Sequence, residues 1–347
     1  MRTCIQLSGG GPEWGRTVDY VVEAERMGVD MVWVAEAWGA DAPTVLGYLA
    51  ARTERLLLGS GVFQLGVRSA AMTAQTALTL ASMSDNRFVL GLGASGPQVM
   101  EGLHGVPFAH PLGRMRETID VIRQAFAGDR IAYQGRHLQL PLPGGEGKAL
   151  RLSLAANDSI PLYLATLSPR LLELTGELAD GWLGTSFVPE GADDAYFVHL
   201  RAGAARSGRE LSTLDVCQGA EVAFARDEEE LATMIDARRM GLAFSLGGMG
   251  SADTNYYNSA YARQGFPEVA AESQRLWVAG DRAAAAAVIP DELVLGTTLI
   301  GTEAMVAKRL ADWAAAGVDT VRLYPAGETM EERLDTLGRA LAMVPGR

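Results

Sequence analysis

Lysine and cysteine are scarce in this sequence of 347 residues. The lysines are Lys148 and Lys308, and neither ends a strand-like run, which excludes the usual Schiff-base barrel enzymes. The two cysteines, Cys4 and Cys217, each lie among strand-like residues. We therefore predict two buried core thiols rather than a disulfide or a metal-binding pair.

Excess positive charge and long hydrophobic runs are also absent. The formal net charge is −12, which disfavours nucleic acid or an anionic membrane as a partner. No apolar run approaches the ~20 residues that a membrane span needs. The start, MRTCIQLSGGG, has too short an apolar stretch for a secretory signal and is typical of a first strand. We expect a soluble cytoplasmic protein.

Several catalytic motifs are missing. None of the histidines (His104, His110, His137 and His199) takes part in an H-x-H or H-E-x-x-H pattern, and none ends a strand-like run. A metal hydrolase is therefore disfavoured, and we predict no metal site. The sequence also lacks a G-x-S-x-G elbow for a serine nucleophile.

The segment GLGASG matches the G-x-G-x-x-G pattern of dinucleotide-binding folds at Gly91, Gly93 and Gly96. In those folds the motif opens a long helix, and an acidic residue ends the next strand about 20 residues later. Here Pro97 follows at once and further glycines interrupt the segment. The acidic residue at that distance, Glu117, lies in a helical pattern. The context argues against a dinucleotide-binding turn.

Short apolar runs alternate with helical patterns along the chain. Eight runs are predicted strands, at residues 3–7, 31–35, 56–62, 88–92, 162–165, 181–184, 214–224 and 320–323. Such alternation implies parallel strands. We predict one (β/α)8 TIM barrel over residues 1–347, with insertions at about 128–152 and 241–292. An open doubly wound sheet with an added domain is the alternative.

In a barrel of this kind, chemistry takes place at the carboxyl ends of the strands. The predicted strand ends carry small residues, backbone amides and one carboxylate, Glu36, with aromatic residues nearby. Such a mouth suits a large planar cofactor that carries the chemistry while the protein orients it.

The strand ends resemble those of luciferase-like flavin and deazaflavin oxidoreductases, in the segment RTERLLLGSGVFQLGVRSAAMTAQTALTLASMSDNRFVLGLGASGPQVMEGLHGVPFAHPLGRMRET. A narrower resemblance is carried by the segments VWVAEAWGADAPTVL, LGASGPQVMEGLHGVPF, LELTGELADGWL and LGGMGSADTNYYN. The sequence is most similar to an actinobacterial subgroup of coenzyme F420-dependent enzymes near methylenetetrahydromethanopterin reductase. The resemblance implies a homodimer that transfers a hydride between C5 of the deazaflavin and a carbonyl or alcohol, an imine, or an activated C=C bond. A monooxygenase that uses reduced FMN is the alternative.

The resemblance also implies the cofactor-binding residues. A cis peptide bond at Gly61–Val62 would support one face of the ring, although the glycine has a simpler interpretation as a kink at a strand end. The remaining implied contacts are Ala94, Ser95 and Gly96 beside the ring, Thr166, Leu167 and Ser168 at the cofactor phosphate, and Thr185 on the same side. Ser168 also fits the N-cap of the following helix.

Catalytic and substrate-binding candidates lie in the same loops. The resemblance assigns Glu36 to the cofactor or to acid–base chemistry, and a structural pair with Arg68 is the alternative. His104 is a second candidate proton donor. Trp38 and Gln98 are predicted to line the substrate pocket, although Trp38 also fits as a filler of its loop. The resemblance extends to F420-dependent enzymes that oxidise glucose 6-phosphate, but the lysines with which those enzymes bind the sugar phosphate have no counterpart in this sequence. Glucose 6-phosphate is therefore not the expected substrate.

Overall fold

The computed structural model describes residues 1–8, 13–250 and 254–346. Eight parallel strands form a closed barrel, because the last strand pairs with the first. In chain order the strands are β1 (Arg2–Ser8), β2 (Met31–Ala35), β3 (Leu57–Ser60), β4 (Phe88–Gly93), β5 (Leu162–Ala165), β6 (Gly181–Leu183), β7 (Asp215–Phe224) and β8 (Thr320–Pro325). The predicted (β/α)8 barrel is confirmed, and the open-sheet alternative is wrong.

Helices surround the barrel and cover its outer face. In the described ranges they are α1 (Trp14–Arg26), α2 (Ala42–Ala50), α3 (Ala70–Met83), α4 (Pro111–Phe126), α5 (Pro169–Leu178), α6 (Val198–Arg206), α7 (Glu228–Gly247), α8 (Tyr256–Arg263), α9 (Pro267–Val278), α10 (Arg282–Ala287), α11 (Asp291–Thr297), α12 (Glu303–Ala315) and α13 (Met330–Leu341). None of these has the length and apolar character needed to cross a membrane.

Short strands supplement the barrel. Phe63–Gln64 pairs with the end of β4, and Tyr133–Gln134 pairs with Gln139–Leu140 as a small hairpin inside the predicted 128–152 insertion. Leu299–Gly301 pairs with the end of β7 and was not predicted. Its three residues are too few for a recognisable apolar pattern.

A second hydrophobic core lies between β7 and β8. It is built mainly from α7 to α11 and includes Ala243, Leu246, Tyr261 and Leu293. We call residues 228–297 the cap segment. Helix α7 extends to Gly247 rather than ending near residue 240, because Ala243 and Leu246 continue its buried face. The predicted boundary at residue 241 therefore falls inside a helix.

Polar residues occupy the interior of the barrel. Cys4 and Cys217 are buried free thiols, as predicted, with 3.7 Å between their sulfur atoms. Arg322 is only 4% exposed; its Nε donates a hydrogen bond to the hydroxyl oxygen of Tyr324 (2.6 Å), and its Nη2 donates to the carbonyl of Gly184 (2.9 Å). Among the described residues, no carboxylate forms an ion pair with this guanidinium. A buried cation therefore lies at the level of the β6 end.

The GLGASG segment does not form a dinucleotide-binding turn. A short π-helix, Gln98–Leu103, follows β4 in place of a long helix. The carboxylate of Glu117 accepts backbone hydrogen bonds from Arg136, His137 and Leu138 at 2.9, 2.8 and 2.7 Å. Burial alone would raise the pKa of Glu117, but these three donors hold it below its usual value. Glu117 therefore stabilises the loop of the small hairpin.

Candidate active site

A cavity of about 430 Å³ opens at the carboxyl ends of the barrel strands. Its wall combines the ends of β2 to β6 with residues from the cap segment. The structure brings twelve of the predicted site residues to this wall: Glu36, Trp38, Gly61, Val62, Ala94, Ser95, Gly96, Gln98, Thr166, Leu167, Ser168 and Thr185. Their individual roles remain predictions.

The chain beyond β3 approaches its neighbours closely. The Gly61–Val62 peptide bond is cis, as the resemblance implied. A Cβ atom on Gly59 would lie 2.3 Å from the Trp33 ring, and one on Gly61 would lie 3.0 Å from the Trp33 Cβ. These glycines let the buried indole pack beneath the segment. The backbone of Gly61 can therefore form part of the cavity wall.

The glycines of GLGASG serve two purposes. A Cβ atom on Gly91 would lie 2.0 Å from the carbonyl oxygen of Ser60, and one on Gly93 would lie 2.6 Å from a methyl group of Val62. Both positions therefore allow the segment after β3 to approach β4. Gly96 differs, because a Cβ atom there would meet only the side chain of Gln98, at 3.9 Å. A larger residue at position 96 would project into the cavity.

Glu36 is engaged by an arginine. The guanidinium of Arg68 donates two hydrogen bonds of 2.7 Å, one to each carboxylate oxygen of Glu36, and a third of 2.8 Å to Asp41. Only 11% of the Glu36 side chain and 17% of the Arg68 side chain are exposed. The hydrogen bonds to Glu36 raise the pKa of Arg68 above its usual value. The geometry matches the structural alternative to an acid–base role.

The loop before α5 combines fixed backbone with a hydroxyl, that of Ser168, which makes no hydrogen bond to the part of the chain that the structure describes. The Thr166 hydroxyl lies 2.8 Å from that of Thr175, and the Thr166 carbonyl accepts a hydrogen bond from Trp182 Nε1. Ser168 occupies the N-cap position of α5, yet its side chain makes no capping hydrogen bond. The first backbone amides of a helix lack intrahelical partners, so this loop can hold an anion.

His104 is not brought to the cavity. It follows the short π-helix, is exposed, and lies outside the wall. Trp38 does line the cavity, with 66% of its surface exposed, so it does not fill the core of its loop. Gln98 donates a hydrogen bond to the carbonyl of Gly250 and thereby joins the β4 loop to the cap segment.

Several residues that line the cavity were not predicted from the sequence. Phe244, Met249, Tyr256 and Tyr257 line the cavity from the cap segment, and Gln64 lines it from the chain after β3. The tyrosines belong to the phrase LGGMGSADTNYYN, in which residues 251–253 lie outside the described part of the chain. Paired tyrosines in a glycine-rich loop were the available signal.

Comparisons with known proteins agree with this architecture. A family model described as luciferase-like monooxygenase matches residues 2–320. A Mycobacterium tuberculosis protein, provisionally named a coenzyme F420-dependent oxidoreductase, is 38% identical over 342 residues, which cover 96% of this chain and 97% of that protein. A 5,10-methylenetetrahydromethanopterin reductase of Archaeoglobus fulgidus is 27% identical over 93% of each chain. The structure of the coenzyme F420-dependent tetrahydromethanopterin reductase of Methanopyrus kandleri has a TM-score of 0.79 at 23% identity, covering 97% of both chains.

Proposed function

Because the chain belongs to the luciferase-like monooxygenase family, we propose that it is a coenzyme F420-dependent oxidoreductase acting on a small uncharged organic substrate. The mycobacterial relative supports the choice of cofactor. The structural observation that carries the proposal is the lining of the cavity, in which the ends of β2 to β6 meet the cap segment. The wall also contains a buried hydrogen-bond acceptor that has no partner among the described residues. When bound, the deazaflavin supplies hydride chemistry at its C5 atom.

That acceptor belongs to Gln64, which is 5% exposed. Its Nε2 donates a hydrogen bond to the carbonyl of Ala37 (2.6 Å), which fixes the orientation of the amide. Its buried Oε1 has no hydrogen-bond partner within the described residues. That oxygen is enclosed by protein atoms, so a ligand in the cavity reaches it only if the Gln64 amide moves.

The other wall residues fit this cofactor. The Gly61–Val62 segment would support the ring, with Ala94, Ser95 and Gly96 beside it. The loop from Thr166 to Ser168 would hold the phosphate through backbone amides and the Ser168 hydroxyl, near Thr185. Gly96 would keep the required space open.

The wall also indicates the class of substrate. Among the described residues that line the cavity, Glu36 is the only one with a charged side chain, and Arg68 already compensates it. An anionic substrate would therefore find no cation in the wall. Trp38, Phe244 and Met249 provide apolar surface instead. These features favour an uncharged carbonyl or alcohol, an imine, or an activated C=C bond.

Cofactor titration tests the proposal. The fluorescence of coenzyme F420 is titrated against the protein, with FMN in parallel. We expect Gly96→Leu to weaken F420 binding at least about tenfold, or ~1.4 kcal/mol, because the side chain enters the cavity. Gly102→Leu is the matched control, since a Cβ atom there meets nothing within 4 Å and the residue lies outside the wall. Micromolar FMN binding without F420 binding would overturn the proposal.

The homodimer belongs to the same proposal. Large apolar side chains are exposed on neighbouring outer helices, with Tyr48 on α2 at 43% and Met72 on α3 at 51%. Pairing of two copies through such helices would cover them. Light scattering at working concentration measures the mass, and a monomer would refute the dimer.

A further inference from the structure

Reduction of a carbonyl or imine requires a proton as well as a hydride. The inference that follows rests on the proposed function, which supplies the hydride. Both oxygens of Glu36 accept hydrogen bonds from Arg68, and His104 lies outside the cavity wall. Neither of the two predicted donors therefore presents a free acidic proton at the cavity wall.

Tyr257 has the required chemistry and position. It lines the cavity from α8, and within residues 1–8, 13–250 and 254–346 its hydroxyl makes no hydrogen bond. Its backbone is held by Asn255, whose Oδ1 accepts the Tyr257 N–H at 3.0 Å. The Nδ2 of Asn255 in turn donates to the carbonyls of Ser245 and Leu246 at 3.0 and 2.9 Å. The phenol therefore sits on an anchored element with its donor free.

A buried cation acts on this phenol. Burial raises the pKa of Tyr257 above its usual value, Tyr324 raises it further, and Arg322 opposes both effects. The titratable groups whose charge influences Tyr257 are thus Arg322 and Tyr324 from β8 and Tyr261 from its own helix, with Glu36 elsewhere in the wall. The phenol stays protonated at neutral pH, while the cation stabilises the tyrosinate that forms when the proton leaves.

We propose that Tyr257 is the catalytic proton donor. Its O–H bond breaks as a new O–H bond forms on the carbonyl oxygen, or an N–H bond on an imine nitrogen. The carbonyl carbon would gain the hydride and its two electrons from reduced F420. Water at the cavity mouth would return a proton to the tyrosinate, and the hydroxide left behind would pass to the solvent.

The neighbouring Tyr256 provides a matched comparison. It lines the same cavity, and its hydroxyl also makes no hydrogen bond among the described residues. Burial raises the pKa of Tyr256 as well, and among the described residues no charged group contributes to that shift. If Tyr257 is the donor, the two phenylalanine variants should differ in turnover although each loses one hydroxyl from the wall.

The experiment compares wild type, Tyr257→Phe and Tyr256→Phe, with cyclohexanone and acetophenone as probes and reduced F420 as hydride source. We expect Tyr257→Phe to cut turnover by ~10²–10⁴, with F420 affinity within about threefold and an unchanged melting temperature. Tyr256→Phe should retain at least about ten times the turnover of Tyr257→Phe. Tyrosine ionisation is followed by the near-ultraviolet absorbance of the cofactor-free protein as the pH is raised. Tyr257→Phe should show one fewer tyrosine ionising at high pH than the wild type.

The outcomes separate the inference from the proposed function. Turnover within about threefold of wild type in Tyr257→Phe overturns the inference alone. Equal losses in the two variants also overturn it. A wild-type protein that binds F420 but reduces neither probe overturns the inference for ketone substrates, and leaves the cofactor assignment standing. Failure to bind F420 overturns the proposed function itself.

Discussion

Replacing Arg68 with methionine removes the partner of the Glu36 carboxylate while keeping an unbranched apolar side chain. The pair is mostly buried, with 17% of Arg68 and 11% of Glu36 exposed, and two hydrogen bonds of 2.7 Å join them. Asp41 also contacts Arg68 at 2.8 Å, but its side chain is 55% exposed. The Glu36 contact therefore dominates the energetic effect of the substitution.

The expected magnitudes follow from that burial. Arg68→Met should lower the free energy of unfolding by about 3 kcal/mol, because it leaves a buried carboxylate unpaired. Loss of the exposed Asp41 contact adds less than about 1 kcal/mol. Glu36→Gln should lower the free energy of unfolding by about 2 kcal/mol, because the N–H groups of the new amide face the N–H donors of the Arg68 guanidinium. The double variant removes both charges. Its loss in free energy of unfolding should therefore be about 2 kcal/mol smaller than the sum of the two single losses.

Equilibrium unfolding in urea, followed by tryptophan fluorescence, measures the four proteins of this cycle. If the dependence of the unfolding free energy on urea concentration is the same in all four proteins, only stability has changed. Coupling below about 0.5 kcal/mol would refute the reasoning, since contacting buried charges cannot be independent. Glu36 would then be free of Arg68 in solution, and its role as a proton donor would reopen.

Three further predictions concern the scaffold. Gly91→Ala places a Cβ atom 2.0 Å from the Ser60 carbonyl oxygen, so it should lower the free energy of unfolding by about 3 kcal/mol. Gly102→Ala should change that free energy by less than about 0.5 kcal/mol, and thermal unfolding compares the two variants. The pKa of Glu117 is lower in the folded state than in the unfolded state, where it is about 4.3. The contribution of its carboxylate to the free energy of unfolding is therefore complete above the unfolded-state pKa and is lost as the pH falls through the folded-state pKa. The stability gap between wild type and Glu117→Gln should therefore be full at neutral pH and shrink in acid; a constant gap would contradict this. Asn255→Ala removes the α8 cap and two cap-segment hydrogen bonds, so hydrogen exchange in α8 should accelerate while exchange in β4 stays unchanged.

The barrel was predictable because its strands are short apolar runs buried on both faces. The run at residues 31–35 coincides with β2, and residues 162–165 coincide with β5. Closing such strands into a barrel brings their carboxyl ends together, so residues from distant loops could be predicted to share one site. The luciferase-like resemblance is likewise confirmed by the family match.

The remaining features depend on contacts between distant parts of the chain. The position of Tyr257 in the wall follows from how the cap segment packs on the barrel, and no local pattern encodes that packing. His104 has a plausible place in the sequence, but the short π-helix before it leaves it exposed outside the cavity wall. Arg68 lies 32 residues from Glu36, and the sequence analysis offered their pairing only as an alternative.

The second hydrophobic core has a consequence for cooperativity. Most buried apolar side chains of the cap segment form a cluster separate from the main core, although that cluster also includes Ala223 of β7 and Ile300. We therefore expect the cap segment to open locally at a lower free energy than the barrel. The cavity wall draws on both. Binding of a molecule in the cavity should therefore favour the docked cap segment over its locally opened form. We expect a bound molecule to slow amide exchange in α7 and α8 more than in the barrel strands.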